Sequence, residues 1–410
     1  VLTDPVIAIP PLATAAHAWR PRVPEIFSGA EVRRQTGAYA SAVPAPIAAW
    51  SPAIAGADLA DVEEAVVALA EFDAHALLSL GSDSVVLGPM ASVLLRTESA
   101  SSSQIEQLTT SAGQLALAEI DEGGTANAAT VIGNVRAMEA ALALADRVDE
   151  GAILAMHREL LRDQPGMEDE AGRYRGELVW IGGRDGAGPR GADYIAPQPE
   201  LVPGAVADLV AFVRRDDLPV LVQAAVAHAQ FETIHPFVDG NGRTGRALVQ
   251  AILRGKGIVR HATVPISAGL LTDVGSYFRA LEAFRRGDAG PVVRRFADAA
   301  RYASFTGRRL VDDLAAELDA AREKLRGVRP QATAWRILPH LIAQPVVNTR
   351  HLAGVFGLPD VTVIRALDVL VDRGVLTERT GRARHRVWQN AGVLRVLDEY
   401  AKEIRRRPGR

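Results

Sequence analysis

The sequence contains no cysteine. That absence excludes disulfides, thiolate zinc sites and cysteine nucleophiles, and it agrees with a reducing compartment. Long apolar runs are missing too: no stretch approaches the roughly 20 uninterrupted apolar residues of a membrane span, so no membrane partner is expected. The opening "VLTDPVIAIPPLATAAHAWRP" is interrupted by proline and lacks the charged start and apolar block of a signal peptide, which makes a cytoplasmic location the expectation. Neither sign of charge dominates. A formal net charge of −3 gives no global attraction to nucleic acid, so any such role has to come from a local patch. Internal repeats and low-complexity tracts are absent, and the alternation that marks strands is scarce.

What remains is a chain of 410 residues, 48% hydrophobic, long enough for about two or three domains. Residues 1–56 are rich in proline and alanine with scattered aromatics (Trp19, Phe27, Tyr39, Trp50), a composition that predicts an extended wrapping segment. Residues 58–160 read as a succession of helices punctuated by Gly81, Gly88 and Gly123-Gly124. "YRGELVWIGG" (174–183), a Gly-rich turn and "ADYIAPQP" (192–199) predict a hairpin. Helical spacing resumes near Pro203 and runs to about Leu325, and "GVRPQAT" (327–333) reads as a linker. Trp180, Trp335 and His228 are most simply packing residues.

The chemistry concentrates in "FETIHPFVDGNGRTGRALVQ" (231–250). The apolar helical spacing of 219–234 stops at Ile234, because Pro236 disfavours helical geometry in the residue before it. Asp239-Gly240-Asn241-Gly242 is turn chemistry, and "RTGRALVQAILRG" opens the next helix. Backbone N–H groups around Gly240, Asn241 and Gly242 can form a concave nest at that helix's N-terminus, where the helix dipole favours an anion. Arg243 and Arg246, three apart, share one face of the first turn and offer planar, charged donors to a polyphosphate. Asp239 supplies the hard oxygen that Mg²⁺ bridging phosphates needs. His235 is a candidate general base with an unperturbed pKa of about 6.5. The turn suits a metal-bound nucleotide phosphate chain.

His235-Pro236-Phe237-x-Asp239-Gly240-Asn241-Gly242-Arg243-x-x-Arg246 resembles the signature of the Fic family of protein adenylyltransferases. The resemblance implies a mainly α, Fic-type helical core with a small β-hairpin flap, ATP as substrate and Mg²⁺ as cofactor. It implies that His235 deprotonates a target hydroxyl, which attacks the α-phosphate so that AMP is transferred and pyrophosphate leaves. Asp239 would bind the metal, and Gly240, Asn241 and Gly242 would hold phosphates. Arg243 would face the β-phosphate and Arg246 the γ-phosphate, with Thr244 and Gly245 between them in the nucleotide site. Phe237 is expected as a core anchor. The related phosphotransferase branch has lysine where this chain has Gly242, which argues against its chemistry. "VWIGG" with "DYIAPQP" resembles the family's flap, an edge for aligning a target strand. "PIS" (265–267) and "SYFRAL" (276–281) match segments near the adenine side, leaving Tyr277 either a nucleotide contact or a buried structural tyrosine.

Upstream, "LLRTESASSSQIEQLTT" (94–110) resembles the inhibitory helix of Fic proteins that carry one N-terminally. Arg96, Glu98, Ser102, Ser103, Ile105 and Glu106 follow the pattern in order, while Gln107 stands where the family has Gly or Asn. A glutamate reaching Arg246 would occupy the guanidinium that should receive the γ-phosphate, so Ser102 and Glu106 are the expected regulatory residues. Residues 334–390 read as a winged helix-turn-helix: "AWRILPHLIA" as first helix, Thr349 capping "RHLAGVFG", "DVTVIRALDVLVDRG" as the second helix of the turn and "VLTERTGRARHRVW" as a wing. Arg379, Arg382, Arg384 and Arg386 gather on that wing, and Arg405, Arg406, Arg407 and Arg410 close the chain. Asp360, Asp368 and Asp372 flank Arg365 on the presumed recognition helix, which is poor in base-reading residues; the resemblance to modules appended to Fic proteins implies dimerisation or partner docking rather than DNA contact.

The expected division is 1–110 as an N-terminal segment with the inhibitory helix, 111–326 as catalytic core and 327–410 as winged helix. The partner is an unknown target protein, or the chain itself. Two alternatives accompany adenylyl transfer: a DNA-binding regulator that uses the nucleotide site as a sensor, and a de-AMPylating Fic enzyme.

Overall fold

The structure, a computed structural model, describes residues 6–79, 84–183, 188–379 and 385–405. Gly81, the hairpin tip at 184–187, Arg382, Arg384, Arg406, Arg407 and Arg410 lie outside the described residues. The chain is mainly α, 62% helix against 7% strand, as the scarcity of strand patterning implies.

The N-terminal region departs from the expected extended wrap. Strands β1 (Ala13–Trp19) and β2 (Gly37–Val43) pair antiparallel along seven residues, Ala13 opposite Val43 and Trp19 opposite Gly37, with helix α1 (Gly29–Gln35) between them. Ser28 caps α1 by accepting from the Glu31 N–H at 3.1 Å. Helices α2 (Gly56–Ser79), α3 (Ser84–Ile105), α4 (Ala112–Glu119), α5 (Ala126–Ala143) and α6 (Glu150–Leu161) follow as expected. The hairpin is present as β3 (Trp180–Ile181) and β4 (Tyr194–Ile195), two residues each. Then come α7 (Val202–Val213), α8 (Val220–Ile234), α9 (Asn241–Gly255), α10 (Ile266–Leu271), α11 (Val274–Arg285) and α12 (Gly290–Lys324).

The C-terminal elements are α13 (Thr333–Ile337), α14 (His340–Ala343), β5 (Val346–Asn348), α15 (Thr349–Phe356), α16 (Asp360–Asp372), β6 (Thr377–Glu378), β7 (Val387–Gln389) and α17 (Ala391–Arg405). "AWRILPHLIA" is two short helices rather than one, because Pro339 has no N–H to continue the first and instead opens the second. Thr349 is the first residue of α15 and not its cap; Asn348 caps it, accepting from the His351 N–H at 2.7 Å.

Chain contacts separate two compact units, each discontinuous in sequence: Val1–Glu63, Ala140–Lys256 and Gly275–Ala297 form the first, and Glu64–Glu139, Gly257–Val274 and Asp298–Arg410 the second. The first is built round α8, which is buried from Leu221 to Ile234 and packs on α7 and α9. Gly245 permits the α8–α9 approach, since a Cβ there would stand 3.0 Å from Phe231 and 3.1 Å from His228. Trp19 meets Tyr39 and Trp180 edge to face, joining the N-terminal ribbon to the hairpin.

In the second unit, buried Glu98 on α3 accepts from both the N–H (2.9 Å) and hydroxyl (2.7 Å) of Ser267, capping α10. Asp73 on α2 accepts from three successive backbone N–H groups, Arg260 to Ala262. The sheet order is β5-β7-β6, with Trp388 buried in its centre. Of the arginines expected on a wing, Arg386 is paired with Glu378 at 2.6 Å and lies 4.8 Å over the Trp388 ring.

Helix α3 ends in a complete Schellman turn. Leu108 N–H donates to the Ser103 carbonyl (3.0 Å), Gln107 N–H to Gln104 (2.9 Å), and Gln107 takes the left-handed conformation, φ 62°. Gln107 therefore stops the helix in the way a glycine would, at some cost in backbone strain. Glu106 is exposed at this turn and Ser102 is buried one turn earlier.

Candidate active site

Helix α8 stops at Ile234, and His235 turns the chain with left-handed angles, φ 49° and ψ 60°, its N–H still donating to Phe231 at 2.9 Å. Arg175, 2% exposed, fixes this corner: its Nε donates to the His235 carbonyl at 2.8 Å and its backbone N–H to Pro236 at 3.0 Å. The other two guanidinium nitrogens reach the carbonyls of Glu177 (2.8 Å) and Pro197 (2.7 Å), so one side chain ties the corner to the two arms of the hairpin. Tyr194 adds a bond from its hydroxyl to the Thr233 carbonyl, and the Arg285 guanidinium sits 3.7 Å over the Tyr194 ring.

Beyond the corner, Phe237 is the expected core anchor, fully buried and stacked on His157 at 3.6 Å. Gly172 N–H donates to His157 Nδ1 at 3.0 Å, which leaves the ring proton on Nε2, donating to the Asp239 carbonyl at 3.0 Å. Asn241 closes the loop on itself: Phe237 N–H donates to its Oδ1 and its Nδ2 donates to the Phe237 carbonyl, both at 2.9 Å. Its side chain is thus occupied by the loop, leaving main-chain groups for any anion. Gly240 has φ 78°, and a Cβ there would fall 2.6 Å from Leu160, so both backbone and space demand glycine.

Helix α9 begins without a side-chain cap, its N-cap being Gly240. Arg243, with a side chain only 4% exposed, pairs through Nη2 with Asp239 Oδ2 at 3.0 Å. Its Nε and Nη1 are buried without a hydrogen-bond partner among the described residues. Arg246, one turn on, is 2% exposed, and Thr244 is fully buried between them. Tyr277 is also buried, its hydroxyl 2.7 Å from His228 Nε2. The arrangement concentrates positive charge and main-chain donors at one helix start.

Electrostatics sort the titratable groups. Burial, then the charges of Arg285 and Arg175, push the His235 pKa down to about 3, against the unperturbed value expected from sequence. The ring is therefore neutral at pH 7, as a proton acceptor must be, and its Nδ1 lies 3.9 Å from Glu232 Oε2. His157 is pushed down to about 4 by burial, and His228 to about 3 by burial and the Arg246 charge. Burial works to raise Asp239, but Arg243, the Gly240 N–H and Gln164 together hold it below its ordinary value. Asp239 is the exposed end of the site, 41% accessible, and Gln164 Nε2 donates to its Oδ2 at 3.3 Å.

Among the described residues no cluster of three or more His, Asp or Glu forms a protein-only metal cage. An ionised, accessible carboxylate still fits Mg²⁺, which takes one or two carboxylates and completes its shell with phosphate oxygens and water.

Residues 147–253 match the Fic/DOC family. That span runs from just before α6 to near the end of α9 and contains the whole loop. The chain is 40% identical over 73 residues to a probable protein adenylyltransferase of Aquifex aeolicus, 18% of this chain and 23% of that one. It is 30% identical over 155 residues to protein adenylyltransferase fic-1 of Caenorhabditis elegans, 37% of this chain and 27% of that one. It is 31% identical over 145 residues to protein adenylyltransferase Fic of Nematostella vectensis, 35% of this chain and 30% of that one. The chain thus spans about a quarter of the length of these curated relatives. The crystal structure of a Fic family protein from Desulfovibrio desulfuricans is 24% identical, with a TM-score of 0.49 over 81% of this chain and 96% of that one.

The Fic motif read from sequence is assembled into one loop and helix start. Arg175, His157 and Gln164, which hold that loop, were not read from sequence. Arg175 is an unremarkable letter in "YRGELVWIGG", and only its burial beside the loop reveals the role.

Proposed function

We propose that the chain is a protein adenylyltransferase that moves AMP from ATP to a hydroxyl side chain of a protein target or of itself. The observation that carries this reading is Arg243: a buried guanidinium with two nitrogens unpartnered among the described residues, at an uncapped helix start just past a neutral histidine. Such a group lacks only an anion with several oxygens.

His235 accepts the proton of the target hydroxyl, the hydroxyl oxygen bonds to the α-phosphorus, and the bond from that phosphorus to the bridging oxygen of pyrophosphate breaks. Arg243 and Arg246 hold the leaving phosphates, and the N–H groups of the α9 start orient the chain. Asp239 is the residue that would hold Mg²⁺, whose charge would offset that of the phosphates when bound. The hairpin, where Ile181 of β3 is exposed, is the proposed resting place of the target segment. Residues 334–390 are proposed as a docking module, since Arg386 is already engaged by Glu378 and Trp388.

The test is incubation with ATP labelled at the α- or the γ-phosphate. Label fixed to protein from the α-position alone, lost in His235→Asn, supports transfer; nucleotide binding without fixed label favours a sensor and overturns it.

A further inference from the structure

Helix α8 ends in a turn that its own backbone cannot complete. His235 N–H closes the turn on the Phe231 carbonyl at 2.9 Å. The next two N–H groups of the ladder would serve the carbonyls of Glu232 and Thr233, but Pro236 has none and that of Phe237 donates to Asn241 Oδ1. The turn is buried, where a carbonyl left without a donor is costly. Two side chains from distant segments supply the donors. Arg285 Nη2 reaches the Glu232 carbonyl at 3.3 Å, and the Tyr194 hydroxyl donates to that of Thr233. The Arg285 guanidinium lies over the Tyr194 ring, so each donor steadies the other, and a cation suits the C-terminal end of a helix.

Arg285 is the last residue of α11, and residues 7–12 hold it from behind. Leu12 N–H donates to the Arg285 carbonyl at 2.8 Å, Ile9 N–H to that of Gly287 at 3.1 Å, and Ala289 N–H to that of Ile7 at 2.9 Å. Ala8 stands opposite Asp288 in this antiparallel pairing. Ile7 and Ile9 are buried, and Trp50 Nε1 donates to the Ala8 carbonyl at 2.9 Å. The Leu12 side chain also packs against the cluster of Ala42, Tyr194 and Ala196. One strap therefore touches the holders of both donors. Gly287 lets it come close: at φ 100° a Cβ there would stand 3.1 Å from the Ile9 carbonyl oxygen.

We propose that residues 7–12 are a working part of the catalytic site: the strap fixes Arg285, a positioning residue that with Tyr194 completes the last turn of α8 and so aims His235, on the reading of that histidine as the base. Loosening the strap misaims the base and leaves the phosphate-holding start of α9 intact.

Three variants of the full chain separate the links. Arg285→Met keeps bulk over Tyr194 and removes the donor, while Gly287→Ala and Leu12→Pro act on the strap. Hydrogen exchange at residues 233–235, read without ATP, is expected to quicken about tenfold in Arg285→Met, the worth of one hydrogen bond from a charged group, and about threefold or more in the strap variants. Transfer at saturating ATP is expected to fall at least about tenfold in Arg285→Met with KM for ATP within about twofold of wild type, and Arg285→Lys, which keeps a donor, should regain part of the rate. Combining Arg285→Met with Gly287→Ala should cost no more rate than Arg285→Met alone, because the strap acts through that side chain. Wild-type exchange at 233–235 in a variant that keeps the wild-type circular dichroism, a rise in KM as large as the loss of rate, or additive losses in the double variant would each overturn the proposal. Exchange needs no nucleotide, so it decides the clamp even in a chain that transfers no label, the outcome that sinks the transferase reading instead.

Discussion

Arg175 Nε donates to the carbonyl oxygen of His235 across 2.8 Å, while the Arg175 backbone N–H donates to Pro236 across 3.0 Å. One residue therefore grips the corner of the loop with both side chain and main chain. Arg175→Met would strand the carbonyls of His235, Glu177 and Pro197 in a buried setting, so the fold should lose about 3 kcal/mol in urea denaturation. Transfer at saturating ATP should fall at least about tenfold with a smaller change in KM for ATP, because the base is misplaced while the phosphate site is intact. Arg175→Lys keeps a cation but cannot serve three carbonyls at once, so it should restore little. Wild-type turnover in Arg175→Met would show that the grip is not needed.

The left-handed backbone of His235 guides its replacement. Asparagine tolerates that conformation better than alanine, so His235→Asn removes the base with little strain on the loop. Target modification should drop on the order of 10²-fold or more, with nucleotide binding by titration near wild type. Retained turnover would refute the assignment of His235.

The buried histidines set a pH dependence. Their folded pKa values lie below the unfolded value, so between pH 6.5 and about 4 the unfolded chain binds protons that the folded chain refuses. Stability is unaffected above that window and falls as pH drops through it, by up to about 1.4 kcal/mol per pH unit for each histidine. Urea midpoints at pH 7, 6 and 5 measure the slope, and His228→Gln should make it shallower. The His235 ring should also stay neutral at pH 5.5 by ¹⁵N chemical shift. A titration midpoint near 6.5 would contradict the effect assigned to burial and the two arginines.

At the end of α3, Gln107 holds the left-handed position that glycine takes at lower cost. Gln107→Gly should stabilise the chain by about 0.5–1 kcal/mol in thermal or urea unfolding. Gln107→Val, with a branched Cβ, should do the opposite. If both variants match wild type, the Schellman turn is not formed in solution.

Glu106 carries the regulatory expectation. Should it compete for Arg246, Glu106→Gly would raise the initial rate of α-phosphate transfer while changing ATP affinity much less, and adding Arg246→Ala would bring the rate back down. Equal rates in wild type and Glu106→Gly would remove the autoinhibition reading without touching that of residues 235–246.

The loop was legible in the sequence because it is local: proline, two glycines and two arginines determine a helix stop, a turn and a helix start within a dozen letters. Its supports were not, since His157 and Arg175 stand 82 and 60 residues from the groups they hold, and nothing near either announces a partner. The lowering of the His235 pKa was not legible for the same reason, as it depends on burial and on arginines brought in from elsewhere. The N-terminal ribbon escaped notice because "ATAAHAW" and "GAYASAV" pair through alanine, a weak strand former, and derive their order from Trp19 and Tyr39 packing. Gln107 taught the converse. Glutamine is a good helix former, but the turn's hydrogen bonds outweigh the preference of one residue.

Asn241 is followed by Gly242, the pair in an unfolded peptide most prone to succinimide formation, in which the glycine's backbone nitrogen attacks the asparagine side-chain carbonyl. In the folded chain that carbonyl is held by the Phe237 N–H, the amide nitrogen is held by the Phe237 carbonyl, and the residue is 3% exposed at a helix start. The attack cannot be lined up. Chemical ageing of the loop therefore proceeds only while the chain is open, and the damage is self-sealing: deamidation puts an anion where Phe237 O needs a donor, so a chain that has aged unfolded can no longer close the loop on return.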